Sequence, residues 1–372
     1  MNEESKEGST PVRHLYVHVP FCLQICPYCS FYKEASDRHK TQPFLDALLK
    51  ELRSVGPALA AETIFFGGGT PTALSVKQLA YLLEGFRETL DCTGLAEWTF
   101  EMNPATVSLE KARLLKSFGV NRVSMGVQSF DAGLLTVLGR VHSVKQVLQS
   151  YEILRQAGFD NVNLDFIFGV PGQTLKHWQD TLQQAVQLAP EHLSTYCLTY
   201  EEDTAFFERL RSGEWRQDVD QDADFYEATM NVLADAGYDQ YEISNFAQGG
   251  RECRHNVAYW FGADYLGLGP SAYSTVGFQR WQNVCDTAQY IARLEHELPR
   301  VNREALTEEV RTAERLAFTL RTKWGVPEHE LRAIQKELPA LIEEGHLERC
   351  GQRIRLTRKG RLVADSVAEL LV

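Results

Sequence analysis

The chain has 372 residues, 44% hydrophobic and 24% charged, which suits a globular protein with one large domain and a smaller one. Its formal net charge of −12 argues against a nucleic-acid partner, whose phosphates need a concentrated basic face, and no run approaches the roughly 20 apolar residues of a membrane span. Eight cysteines are too few for a disulfide scaffold and fit a reducing compartment, so the expected location is cytoplasmic, with peripheral membrane contact left open.

Residues 1–12 open the chain with a polar stretch that lacks the apolar centre of a signal peptide, and disorder is expected there. An alternating apolar run at 15–19 then predicts a short buried strand that stops at Pro20. The loop after it carries Cys22, Cys26 and Cys29 in a C-x3-C-x2-C spacing, and position 31 is Phe31. Three thiolates can hold three corners of a [4Fe-4S] cluster and leave one iron open. A zinc-binding interaction protein is the competing reading, weakened because no second C-x2-C follows at ribbon spacing.

Short apolar segments and amphipathic segments alternate from here to about residue 245. Strands are expected at 15–19, 63–66, 98–102, 122–127, 162–168 and 193–199, and helices at 43–54, 75–89, 108–118, 144–157 and 175–188. Pro43 suits a first helical position, Ser75 and Ser108 suit N-caps, and Gly119 and Gly158 suit stops. Six strand–helix units in series predict an α/β architecture with parallel strands, though periodicity does not decide whether the sheet closes.

The chemistry-bearing residues fall at the C-terminal ends of these strands. Phe66-Gly67-Gly68-Gly69-Thr70-Pro71 allows a tight turn or close backbone approach to a ligand, and it lacks the spacing of a nucleotide-phosphate loop. Glu101, before Asn103-Pro104, points into the mouth of the sheet or is an exposed acidic loop residue. Gln128 suits a ribose or carboxylate, or stabilises a turn. Asp165 lies within an apolar strand, where a bare carboxylate is costly; it needs a ligand or a buried donor, and the ligand is favoured.

The cysteine loop resembles the signature of the radical S-adenosylmethionine (SAM) superfamily. That resemblance implies a partial six-stranded barrel, a [4Fe-4S] cluster on Cys22, Cys26 and Cys29, and SAM on its open iron, with Gly68, Gly69 and Thr70 contacting SAM. Over most of the chain the segments resemble the branch of oxygen-independent coproporphyrinogen III dehydrogenases and their relatives. In that branch the positions matching Tyr16, Glu101, Gln128, Arg140 and Asp165 surround SAM.

Within the branch the dehydrogenases carry a further cysteine where this chain has Phe31. The stretch Cys253-Arg254-His255-Asn256-Val257-Ala258-Tyr259-Trp260 is similar to the His-Asn-x-x-Tyr-Trp motif of the haem chaperones called HemW. On that resemblance His255 is the candidate haem ligand, with Cys253 a possible second, and apo-haemoproteins such as respiratory enzymes are the expected partners. A buried structural histidine is the alternative. The expected division is a radical SAM core at 13–245 and a C-terminal domain at 246–372. A glycine-rich loop at 262–274 should pack on the barrel mouth. From about 306, helices and a small hairpin suggest a winged-helix-like tail, read as a lid or docking surface and not as a nucleic-acid binder. Conversion of coproporphyrinogen is the competing function, disfavoured by Phe31.

Overall fold

The computed structural model describes residues 11–371. Of the expected disordered stretch at 1–12, residues 1–10 lie outside the described residues, but Val12 is buried and opens the first strand. Six strands build the core: β1 (Val12–Val19), β2 (Leu59–Gly68), β3 (Glu97–Met102), β4 (Arg122–Gln128), β5 (Val162–Phe168) and β6 (His192–Cys197). They pair in chain order, all parallel. Between them run α1 (Arg38–Val55), α2 (Val76–Thr89), α3 (Leu109–Ser117), α4 (Ala132–Val137), α5 (Val144–Gln156) and α6 (Leu175–Gln187). After β6 come α7 (Ala205–Arg211) and α8 (Val219–Asp235), which were not expected.

Period-two alternation gives this sheet two unlike faces. One set of positions, including Leu15, Val17, Ile64, Phe66, Phe100, Val123, Met125, Leu164 and Phe166, is fully buried among apolar neighbours. Phe66 stacks on Phe100 with centroids 4.4 Å apart. The alternate set is polar: His14, Tyr16 and His18 on β1, Thr63 on β2, Glu97 and Glu101 on β3, Arg122 and Ser124 on β4, Asn163 and Asp165 on β5, His192 and Ser194 on β6. These groups bond to one another across strands, as in Asn163 with Ser124 and His192. A sheet whose concave face is lined with hydrogen-bonding groups is a barrel interior.

The barrel is partial. The expected boundary between 245 and 246 falls inside a strand, because β7 (Asp239–Gln240) and β8 (Asn245–Ala247) continue the sheet beyond β6. At the other edge β9 (Tyr265–Leu268) pairs parallel to β1, so the segment expected as a mouth loop at 262–274 includes a strand of the main sheet. Next come β10 (Tyr273–Val276), β11 (Gln279–Asn283) and β12 (Arg300–Ala305), antiparallel in series. Helix α9 (Arg254–Trp260) leads into β9, α10 (Thr287–Arg293) precedes β12, and α11 (Glu308–Leu320) follows it.

Local signals hold at most helix ends. Ser75 forms a reciprocal capping box with Gln78, Ser108 caps α3, and Gly119 and Gly158 end α3 and α5 at φ of 99° and 87°. Pro43 differs. Asp37 caps α1 five residues earlier than expected, so the proline lies inside the helix. The tail is a second, smaller core in which β13 (Val326–Pro327), β14 (Leu347–Cys350) and β15 (Arg353–Leu356) form a sheet against α11. The helix expected at 328–336 is a single turn at Glu328–Glu330, and the one expected at 359–371 breaks into Arg358–Arg361 and Ala364–Glu369.

Candidate functional site

The three cysteines follow β1 directly. Phe21–Cys22 pairs with Glu34–Ala35, which closes the loop at its base. Within it the Cys29 N–H donates to the Cys26 carbonyl at 3.2 Å, and Lys33 Nζ donates to the Cys29 carbonyl. All three thiols are free and half-buried, and together with Gly68, Gly69 and Arg140 they line one small cavity of about 80 Å³. Burial raises the thiol pKa of Cys22, opposed by Thr70; burial also raises that of Cys29, opposed by Lys33. Iron that binds there must therefore displace protons. Arg140 Nη1 donates to Cys26 Sγ at 3.4 Å and its Nη2 to the Gly126 carbonyl at 2.9 Å, which ties the loop to β4.

The glycine run lies against this loop. The Gly69 N–H donates to the Val19 carbonyl and the Thr70 N–H to the Phe21 carbonyl, both at 2.8 Å. Gly68 has φ of 100°, and a Cβ there would fall 2.5 Å from His18 Cε1. A Cβ at Gly69 would fall 2.7 Å from the Pro20 carbonyl carbon. Only bare backbone lets β2 pass this close beneath the cysteines.

Beside the thiols opens a cavity of about 450 Å³, a size that suits a small ligand. Its walls bring together Cys29, Gly68, Gly69, Thr70, Glu101, Gln128, Arg140 and Asp165, eight of the residues singled out in the sequence. Burial raises the Glu101 carboxyl pKa to about 8, helped by the nearby Asp165 charge. Burial also raises that of Asp165, against donors that stabilise its charge: Ser124 Oγ and Asn163 Nδ2, each at 2.8 Å. The protein thus supplies the buried donors that Asp165 requires, and a ligand is not needed to explain it. Gln128 adopts φ of 70°, left-handed for a side-chain-bearing residue, at an irregularity in its pairing with β5. Among the described residues its Oε1 is buried without a partner, as is Arg140 Nε. Strained backbone and orphaned polar atoms in one cavity mark a place shaped for a ligand.

Tyr16 stands one layer lower. It lines neither cavity; its ring stacks on Phe65 and its hydroxyl meets His18 Nδ1 at 3.1 Å. The His18 ring lies directly under Gly68, so Tyr16 supports the glycine turn. Residues that sequence reasoning missed are Asn103, Ser124, Tyr196, Cys197 and Glu201 on the same cavity wall. The end of β6 was predicted as a strand terminus, and the rule that function gathers at such termini would have pointed to Tyr196 and Cys197.

His255 is elsewhere. Its Nδ1 lies 2.8 Å from Thr63 Oγ1, which in turn lies 2.9 Å from His14 Nδ1. Thr63 is five residues before Gly68 on β2 and pairs with Glu97, the first residue of β3, towards the end of the barrel away from Gly68. Burial, then His14, lowers the His255 pKa to about 3. Cys253 is buried, and its thiol donates to Glu97 Oε1 at 3.5 Å, the carboxylate that also accepts from the Arg254 and His255 backbone N–H groups. The expectation of a haem ligand at His255 meets a neutral, hydrogen-bonded residue packed on Phe65, and Cys253 is engaged in the same cap.

The donor set fits the groups that the fold implies: three thiols at one mouth for a [4Fe-4S] cluster, and an adjoining polar cavity for SAM. Comparison with known proteins agrees. Residues 16–185 match the family model of the radical SAM superfamily. The heme chaperone HemW of Bacillus subtilis is 36% identical, with 96% of this chain and 98% of that protein aligned. The heme chaperone HemW of Escherichia coli is 34% identical over 97% of this chain and 98% of its own length. Among solved structures, coproporphyrinogen III oxidase from Escherichia coli, a radical SAM enzyme, superposes with a TM-score of 0.84 at 26% identity, covering 98% of this chain and 90% of that one. The chain belongs to the HemW family of the radical SAM superfamily.

Proposed function

We propose that this protein is a haem chaperone: it carries a [4Fe-4S] cluster, binds SAM and haem, and hands haem to apo-haemoproteins such as respiratory enzymes in the cytoplasm. Cys22, Cys26 and Cys29 hold the cluster. Gly68, Gly69, Thr70, Glu101, Gln128, Arg140 and Asp165 contact SAM, with Tyr16 acting from below. A cluster held by these cysteines would supply, together with SAM, any radical chemistry; the chain's own part is to position, to exclude water and to compensate charge. Asp165, with two donors stabilising its charge, faces a sulfonium, Glu101 joins it once a bound cation displaces its proton, and Arg140 offers a donor to a carboxylate. The observation that carries the reading is full-length similarity to the HemW relatives, combined with three thiols beside a ligand-shaped cavity.

One observation favours a second reading, the conversion of coproporphyrinogen: the same fold serves the Escherichia coli oxidase. Phe31 stands against it. This residue is 66% exposed at the cavity rim, where the resemblance expects a further cysteine in the dehydrogenases. The test is anaerobic reconstitution, iron and sulfide analysis, and transfer of bound haem to an apo-haemoprotein. Iron and sulfide with haem transfer, and no loss of coproporphyrinogen, is the expected result. Zinc without sulfide, or anaerobic consumption of coproporphyrinogen, would overturn it.

A further inference from the structure

Asp165 stands at the cavity and α9 starts towards the other end of the barrel, yet a chain of buried hydrogen bonds joins them. Asn163 Nδ2 donates to Asp165 Oδ1 at 2.8 Å, and Asn163 Oδ1 lies 2.6 Å from His192 Nδ1. His192 Nε2 lies 2.9 Å from the Tyr241 hydroxyl, whose oxygen accepts from the Cys253 N–H at 3.3 Å. Cys253 is the residue that precedes α9, and the next two N–H groups, of Arg254 and His255, donate to Glu97. Asn163, His192, Tyr241 and Cys253 are all buried. They come from four separate stretches of chain. Strand pairing sets Asn163 of β5 opposite His192 of β6, and Tyr241 lies in the turn between β7 and β8.

The chain has one direction. Asn163 uses its whole capacity: Nδ2 donates to Asp165 and Ser124, and Oδ1 accepts from Ser194 and faces His192 Nδ1. The His192 proton therefore sits on Nδ1, and Nε2 accepts from the Tyr241 O–H. Burial, then the Arg122 guanidinium, holds the His192 pKa well below its usual value, so the ring stays neutral and has a single N–H to give. Every donor from Cys253 onwards points towards the Asp165 carboxylate.

We infer that His192 and Tyr241 are positioning residues that couple the cavity to α9: a cation held against Asp165 tightens the chain and firms the start of the helix that carries the His-Asn-x-x-Tyr-Trp motif. The inference rests on the reading of this cavity as the SAM site and adds that its occupancy is felt at α9. A neighbouring cation favours the ionised carboxylate, the form these donors serve. Hydrogen bonds aligned in one direction polarise one another, so strengthening at one end is passed along the row. Linkage makes the effect reciprocal, and a loosened α9 start weakens SAM binding by the same factor. Glu97 holds the Arg254 and His255 N–H groups from β3, while the Tyr241 hydroxyl is what ties the Cys253 N–H to the cavity side.

The test uses the full-length protein with its cluster reconstituted and kept oxidised, so that SAM binds without being cleaved. Hydrogen exchange of residues 253–261 is followed by mass spectrometry with and without SAM, and SAM affinity is measured by calorimetry. Wild type is compared with Tyr241→Phe, which deletes the linking hydroxyl and keeps the ring, and with Tyr238→Phe. Tyr238 is an equally buried tyrosine three residues away whose hydroxyl donates to the Pro190 carbonyl at 2.6 Å, outside the chain. SAM should slow exchange at 253–261 in the wild type and in Tyr238→Phe. Tyr241→Phe, folded by circular dichroism, should bind SAM roughly fivefold more weakly and show no slowing. Exchange at 253–261 that ignores SAM in the wild type would overturn the coupling with no variant needed. So would a folded Tyr241→Phe that matches the wild type in both measurements, or a Tyr238→Phe that loses as much. In each of those cases SAM binding by the wild type leaves the cavity reading standing; no SAM binding by the reconstituted wild type would overturn both.

Discussion

Cys29 illustrates how little of the fold a cluster ligand supports. Its side chain is half-buried and its structural contacts are made by backbone: a donation to the Cys26 carbonyl and an acceptance from Lys33. Cys29→Ser should lose most of the iron and acid-labile sulfide after reconstitution while its melting temperature stays within the range of a surface substitution, about 0.5 kcal/mol. Retention of a full cluster would remove Cys29 from the ligand set. Glu101 is the opposite case, a buried group in conflict with its surroundings. Its pKa is raised from 4.5 to about 8, so the folded protein binds a proton that the unfolded chain has already released at neutral pH. The stability from this group is fully present below pH 4.5 and is lost as pH rises towards 8. Glu101→Gln should flatten the decline of thermal stability across that window and should weaken SAM binding most above pH 8, where Glu101 is charged and can face the cation. Thermal melts at stepped pH and calorimetric SAM titration measure the two effects; an unchanged pH slope would refute the assignment.

At the scale of elements, the turn after β2 has the least freedom. Gly69→Ala puts a methyl group 2.7 Å from the Pro20 carbonyl carbon, backbone that cannot swing aside. The expected result is a folded protein whose cluster loop is displaced, with sulfide content and SAM affinity both lowered. Helix ends are more forgiving. Ser75 accepts from the Gln78 N–H while the Gln78 side chain accepts from the Ser75 N–H, and Ser75→Ala should cost about 1 kcal/mol in denaturant melts with no effect on cluster content. That cap was legible because it depends on residues three apart. The early start of α1 at Asp37 was missed because Pro43 sent a stronger local signal, and the helix accommodates the proline in its second turn.

For the molecule as a whole, the two apolar cores meet at Ile243, which packs against both the barrel core and the tail core. Ionic and polar ties run alongside it: Lys323 to Asp239 at 2.6 Å and to Glu252 at 2.7 Å, and Arg361 to Gln240. Ile243→Ala should cost about 2 kcal/mol, below a fully buried isoleucine because this one is only partly covered. It should also separate calorimetric melting into two transitions as the tail uncouples from the barrel. A single undiminished transition would show that the polar ties suffice. The same coupling positions α11 over Tyr259, whose ring stacks on Phe318 at 5.5 Å.

By itself the sequence determined the alternation of six strands with helices, the cysteine loop, the glycine turn and the polar residues at strand ends, because each rests on spacing within a few residues. It could not decide what fills the space between distant segments. Tertiary structure supplied Ser124 and Asn163 as donors to Asp165, gathered eight of the nominated residues around one cavity, and carried β9 to the edge of β1. It also sent His255 to the opposite end of the barrel, where Thr63, about 190 positions away in the chain, holds its ring. Spacing fixes which face of an element a side chain occupies; only the pairing of elements far apart in sequence decides what that face meets.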